Sequence, residues 1–185
     1  MIYLLRHGLD DERFIGGYSK ISLIPEGIRQ VKEIAAFIET NNLEIQMIIS
    51  SDVKRAIETA QIVNQRLDLD ITYDSTFREL DKGKLNGIPK ETAKIEYPEY
   101  IDVKDIKLKY PNGESMQEFY ERIKESLEYI LSLDSVLIIT HRGVINMLYY
   151  ILNNVPLDMD KEKFNVTHAS LHELNPKIKS IGRLK

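Results

Sequence analysis

Two apolar runs stand out against the polar pattern of the chain, Ile2-Tyr3-Leu4-Leu5 and Val136-Leu137-Ile138-Ile139-Thr140. Continuous apolarity over so few residues predicts strands buried on both faces, as in a parallel sheet. Ile45–Ile49 predicts another short buried strand, closed by Ser50-Ser51, and Ile71-Thr72-Tyr73 a fourth. Between the runs the period changes to that of a helix. Pro25 suits a first helical position, and Ile28, Val31, Ile34, Ala35 and Ile38 recur on one face until Asn41-Asn42 stops the helix. Ser51 predicts the N-cap of a second helix that buries Ala56, Ile57, Ala60 and Val63. Ser115-Met116-Gln117-Glu118 has the form of a capping box and predicts a helix running to about residue 132, with Phe119, Ile123, Leu127 and Ile130 inward. A short helix is predicted around 90–96 and another over 143–153. A last strand is predicted over 164–175, with a polar tail after Pro176. Strands alternating with helices define an α/β chain, a three-layer α/β/α sandwich with a mostly parallel central sheet. A length of 185 residues without repeats or a linker predicts a single domain over 1–185.

Both strongest strands end in the same chemistry. The first runs into Arg6-His7-Gly8, the second into His141-Arg142-Gly143. Ligands of open α/β sheets bind at the carboxyl ends of strands, so the two histidines are expected to meet in one site. An imidazole can attack phosphorus, and a guanidinium matches phosphate oxygens as a planar fork. These residues point to phosphoryl transfer through a phosphohistidine.

Composition narrows the chemistry. Cysteine is absent, which removes thiol nucleophiles, thiolate metal sites and disulfides. There is no HExxH motif and no Asp/His cluster at metal spacing, so neither a metal nor another cofactor is expected. A net charge of −4 gives no overall attraction for nucleic acid, and any anion site must be local. No apolar stretch has the length of a membrane span, and strand residues begin at position 2 without a basic leader. The expectation is a cytoplasmic protein whose partner is a small phosphorylated substrate, with monomer and homodimer both open.

The order of further motifs resembles the histidine phosphatase superfamily, in its phosphoglycerate mutase-like branch. The resemblance runs through Leu5-Arg6-His7-Gly8, Gly17-Tyr18-Ser19-Lys20-Ile21-Ser22-Leu23 with Gly27, and Ser50 to Ala60. It continues through Glu79-Leu80-Asp81-Lys82-Gly83 with Asn86-Gly87, Gly113-Glu114-Ser115 with Arg122, and Thr140-His141-Arg142-Gly143. It implies His7 as nucleophile, its other nitrogen donating to a backbone carbonyl. It implies Arg6, Arg55 and a charged His141 as the clamp on the phosphoryl group, and Glu79 as the proton shuttle, with Asp10, Asp81 and Glu114 next in line. Ser19, Arg142 and His168 are further substrate-binding candidates, with backbone N–H groups at 142–143 as added donors. His172 is expected to be structural or exposed. Tyr97, Tyr100 and Tyr110, with Lys104, Lys107 and Lys109, could roof the pocket. The chain also departs from the pattern. Leu9 and Asp10 replace the usual Glu and Thr, Lys20 an Asp, Ile24 a Thr, Arg142 a glycine, and His168 a small polar residue.

The implied activity is that of a metal-independent phosphomonoesterase acting on a small phosphorylated metabolite, such as a sugar phosphate or α-ribazole phosphate. The alternatives are a phosphomutase of the phosphoglycerate type, disfavoured by short loops at 8–24 and 81–113, and a non-catalytic module that binds a phosphorylated ligand.

Overall fold

A computed structural model describes all residues, 1–185. In chain order its elements are β1 (Ile2–Arg6), α1 (Pro25–Thr40), β2 (Met47–Ser50), α2 (Lys54–Leu67), β3 (Ile71–Tyr73), α3 (Lys90–Glu96), α4 (Met116–Glu125), α5 (Leu127–Ser132), β4 (Val136–Thr140), α6 (Arg142–Leu152), β5 (Leu171–Asn175) and β6 (Ser180–Arg183). One six-stranded sheet runs in the order β3-β2-β4-β1-β5-β6. Strands β1 to β4 are mutually parallel, and β5 joins β1 antiparallel. No helix is long and apolar enough to cross a membrane.

Side chains of the central strands alternate between two cores. Ile2, Leu4, Ile49, Val136 and Ile138 face Phe119 and Ile123 of α4, Ile130 of α5 and Val144, Ile145 and Leu148 of α6. Tyr3, Leu5, Ile48, Leu137 and Ile139 face Val31, Ile34 and Ile38 of α1 and Ala56, Ala60 and Val63 of α2. This explains the unbroken apolar runs, because both pleat directions are buried. The small Ala56 and Ala60 let α2 lie close to the sheet.

Four boundaries differ from the sequence reading, each for a local reason. Val53, not Ser51, caps α2, and no side chain completes that cap. Ser51 Oγ instead accepts from Val53 N and faces His141 Nε2 at 2.9 Å. The helix opened by the Ser115–Glu118 capping box breaks at Ser126, whose hydroxyl bonds back to the Arg122 carbonyl at 2.9 Å. The predicted strand over 164–175 begins only at Leu171, after a turn in which Ser170 Oγ donates to the Thr167 carbonyl and Ala169 takes a φ of 53°. The tail after Pro176 folds back as β6. It is an exposed edge strand whose polar residues carry no alternation to read.

The register sets the site. Leu5 and Arg6 lie beside Ile139 and Thr140, and Ser51 N bonds to the Ile139 carbonyl at 2.9 Å. His7, His141 and Ser51 therefore leave three adjacent parallel strands at one edge. Core packing should hold this arrangement. Ile138→Ala at a fully buried position should lower stability by about 2–5 kcal/mol in denaturant unfolding, whereas Ile178→Ala, 72% exposed, should change it by no more than about 0.5 kcal/mol.

Candidate active site

His7 leaves β1 with its ring buried. Its Nδ1 lies 2.7 Å from the Gly8 carbonyl, and its Nε2 accepts from Arg55 Nε at 3.0 Å. Only one neutral tautomer satisfies both contacts: Nδ1 carries the proton and Nε2 the lone pair. Burial drives the imidazole well below its usual pKa, and Arg55, His141 and Arg6 reinforce the shift. The ring is thus neutral at pH 7, and its unprotonated nitrogen is held by Arg55 at the border of the cavity.

Arg55 is the second residue of α2 and is 2% exposed. Besides His7 it reaches Ser19 Oγ at 3.1 Å, the Gly17 carbonyl at 3.0 Å and His141 Nδ1 at 3.0 Å. Four of its five N–H donors are engaged, so one remains for a ligand. Gly17 has a φ of 66°, and a Cβ there would overlap the Asn86 amide oxygen and the Leu80 carbonyl. A glycine is therefore required to bring its carbonyl to Arg55.

His141 is fully buried behind Arg55, its ring centroid 5.2 Å from that of His7. Nδ1 accepts from Arg55, so Nε2 carries the proton and donates to Ser51 Oγ at 2.9 Å. Burial, Arg55 and Arg6 all lower its pKa. His141 is therefore neutral in this structure, not the charged imidazolium expected from the resemblance. Two adjacent guanidiniums disfavour a third positive charge until an anion arrives.

Arg6 ends β1 with NH1 on the Val166 carbonyl at 2.7 Å and NH2 on His168 Nε2 at 2.5 Å. Its buried Nε has no partner. Burial, with Arg142 nearby, draws the guanidinium down to about 10. His168 accepts from Arg6 and is held neutral, lowered to about 3 by burial and then by Arg6. It orients Arg6 as well as bordering the cavity.

Glu79 accepts from Leu80 N at 3.0 Å and from Gly143 N at 3.1 Å. The start of α6 thus binds this carboxylate rather than offering the Gly143 N–H to a ligand. A Cβ on Gly143 would overlap the Glu79 carboxylate, which is why glycine stands there. The loop bearing Glu79 is tied down by Arg122. That guanidinium forms a fork with Glu114, at 2.7 and 3.1 Å, and donates to the carbonyls of Thr76, Arg78 and Glu79. Glu114 is consumed by this fork. Asp81 is consumed by Gly83 N and Asn86 Nδ2.

A cavity of about 240 Å³ joins these groups, bordered by Arg6, His7, Arg55, Glu79, Arg142 and His168. Ser19 and His141 lie behind Arg55 instead of on its wall. Arg142 reaches the cavity while pairing with Glu162 at 2.5 Å. The outer wall differs from expectation. Tyr97, Tyr100 and Tyr110 do not border the cavity; Tyr100 and Tyr110 pack on each other at 5.5 Å and against the core. Lys109 pairs with Glu118. Lys82 and the segment carrying Asp158 to Lys161 take the place of those tyrosines. Burial and the neighbouring Lys161 lower the Lys82 ammonium to about 8. Lys82 lies in the Glu79–Gly83 motif without having been singled out, and Lys161 has no motif around it, so the fold reveals their place at the cavity. His172 is fully buried between Tyr149 and Ser170 and stays in the core.

Asp10 also borders the cavity, on the same side as His168. Ligand atoms of His7, Asp10 and His168 lie within 4.8 Å of one another, close enough to consider a metal ion. Both imidazole lone pairs of that group, however, already accept from guanidiniums. The cations of this site are its arginines, and a divalent ion would have to displace both.

Comparison with known proteins follows the geometry. A family model described as "Histidine phosphatase superfamily (branch 1)" matches residues 2–180. "Uncharacterized phosphatase PhoE" of Bacillus subtilis is 31% identical over 153 residues, covering 80% of this chain and 74% of that protein. "Probable phosphoglycerate mutase GpmB" of Salmonella arizonae is 35% identical over 140 residues, covering 71% of this chain but only 63% of the relative, less than two thirds of its length. The solved structure of the α-ribazole phosphatase from Shigella flexneri superposes with a TM-score of 0.80 at 21% identity, covering 99% of this chain and 94% of that one; it is alike in fold.

The histidines make stability depend on pH. His7, His141, His168 and His172, all four in the chain, are depressed in the fold, chiefly by burial. In the unfolded chain each takes up a proton near pH 6.5, so this contribution is complete above that pH and is lost as the pH falls. Each should cost about 1.4 kcal/mol by pH 5.5. The Tm should drop steeply between pH 7.5 and 5.5, and a level Tm would contradict the neutral assignments.

Proposed function

The chain belongs to the histidine phosphatase superfamily, and we propose that it is a metal-independent phosphomonoesterase acting on a small phosphorylated metabolite through a phosphohistidine at His7. One observation carries this reading: a neutral His7 whose Nδ1–H is fixed by Gly8 and whose Nε2 lone pair looks into a cavity bordered by Arg6 and Arg55. An incoming phosphoryl group replaces the lone pair as the partner of Arg55 Nε. The Nε2–P bond forms as the P–O bond to the leaving group breaks. Arg55 and Arg6, through its unpartnered Nε, meet the charge on the equatorial oxygens. Glu79 gives its proton to the leaving alkoxide. It then takes one from the water that cleaves the N–P bond, and the carboxyl returns to its starting state. His141 sits one layer back, where it gains its proton once the anion offsets the arginines.

The substrate is proposed as a phosphorylated ring compound, a sugar phosphate or α-ribazole phosphate. Phe14, Met116, Phe119, Met147 and Met159 on the cavity wall support this, since methionine and aromatic surface adapts to a ring face. The name of the Shigella fold neighbour points the same way. A mutase reading is favoured by the identity to GpmB. Product analysis separates the two, because a mutase returns an isomeric phosphoester and a phosphatase returns inorganic phosphate. A cytoplasmic location forms part of the proposal.

His7→Ala should abolish hydrolysis of p-nitrophenyl phosphate with the fold intact, and trapped phosphoenzyme should be acid-labile and base-stable. Activity should survive EDTA, because arginines supply the positive charge; loss on chelation with recovery on a divalent ion would overturn the mechanism.

Glu79→Gln should lower kcat roughly 10²–10⁴-fold for alkyl phosphates. The fall should be clearly smaller for p-nitrophenyl phosphate when phosphorylation of His7 limits the rate, which a pre-steady-state burst reports. An unchanged kcat with both substrates would leave Glu79 a structural carboxylate.

A further inference from the structure

Two departures from the family pattern, Asp10 and His168, are far apart in the sequence and meet above the nucleophile. Asp10 Oδ1 lies 3.9 Å from His168 Nε2, and Oδ2 lies 3.6 Å from Arg55 Nε, the nitrogen that also donates to His7. The His168 ring is 5.6 Å from that of His7. The Asp10 carboxylate is largely buried, and its nearest cationic nitrogen is beyond good hydrogen-bond range. A threonine hydroxyl at this position could donate to a phosphate oxygen. A carboxylate only accepts, unless it carries a proton.

We propose that Asp10 is a resident carboxylate of the phosphoryl cradle and that phosphate binding therefore takes up a proton at Asp10. This rests on the reading of the cavity as the phosphate site and specifies which ionic form it accepts. A phosphorus atom poised for attack lies about 3–3.5 Å from His7 Nε2. An Asp10 oxygen lies within 4.8 Å of a His7 ring nitrogen, and Oδ2 is 3.6 Å from the Arg55 Nε that donates to His7 Nε2, so an equatorial phosphate oxygen and the carboxylate come into contact. Two anions at such a distance share a proton. The proton adds to a carboxylate oxygen and hydrogen-bonds to phosphate, with no covalent bond broken. The groups facing Asp10 allow this. Arg6 and His7 come from the end of β1, Arg55 from α2, His168 from the turn before β5 and Glu12 from its own loop. Both imidazoles are neutral. Burial raises the Asp10 pKa, Arg55 and Arg6 oppose it, and Glu12 adds to it. Arg55 is already committed to His7, Ser19, Gly17 and His141 and lies 3.6 Å from Asp10, so the Asp10 carboxylate has no close hydrogen-bonded cation to hold it ionised beside an anion.

The test is titration calorimetry with inorganic phosphate from pH 5.5 to 8.5, in buffers of different ionisation enthalpy. It uses wild type, Asp10→Asn and Asp10→Thr, each checked by thermal melt. At pH 8 wild type should take up about one proton more than either variant, and its affinity should fall about tenfold per pH unit more steeply. Asp10→Asn should bind phosphate about 10–100-fold more tightly than wild type at pH 8, and the two should converge near pH 5.5. Protons gained by His141 are common to all three proteins and cancel. Equal proton uptake with parallel pH profiles would overturn the role of Asp10 while leaving the phosphate site standing. Absence of phosphate binding in all three proteins at every pH would overturn both.

Discussion

The buried guanidinium of Arg55 is the constraint on which the rest of the site depends. A charge 2% exposed is tolerable only with its donors satisfied, and each donor organises a different part of the chain. Nε fixes the tautomer of the nucleophile, NH1 holds Ser19, and NH2 holds both Gly17 and the second histidine. The loop after β1 is thereby drawn over the start of α2, and two imidazoles are kept neutral beside one cation. Arg55 stands between His7 and His141 and donates to both.

A second arginine does comparable work for Glu79. Arg122 of α4 reaches three carbonyls ahead of and at Glu79 and is itself neutralised by Glu114. The carboxyl of Glu79 is then received by the first turn of α6, where Gly143 leaves room for it. His7 and Glu79 are thus positioned by two networks, joined where Asn86 Oδ1 accepts from both Tyr18 N and Lys82 N. The cations that border the outer cavity, Lys82 and Lys161, belong to neither.

Much of this was legible along the chain. The apolar runs gave the buried strands, the Ser115–Glu118 box gave the start of α4, and Pro25 gave the start of α1. The family motifs named the residues that line up at the sheet edge. Illegible features were those whose cause lies outside the local pattern. The strand β6 is too exposed to alternate, Ser51 is drawn from its expected cap toward His141, and the tyrosines of 97–110 turn inward to the core.

By itself, the sequence determined the α/β alternation, the two histidine-bearing strand ends and the chemistry they offer, because period and residue type are local properties. Only the tertiary structure decided the charge states and partners. His141 is neutral because it is buried, with the guanidiniums of Arg55 and Arg6 adding to the effect, Ser19 serves Arg55 instead of facing the cavity, and Gly143 N–H is given to Glu79. It also decided that Asp10 and His168 meet over His7. Ionisation and hydrogen bonding depend on distance and burial through space, and neither quantity exists until residues remote in the chain are packed together.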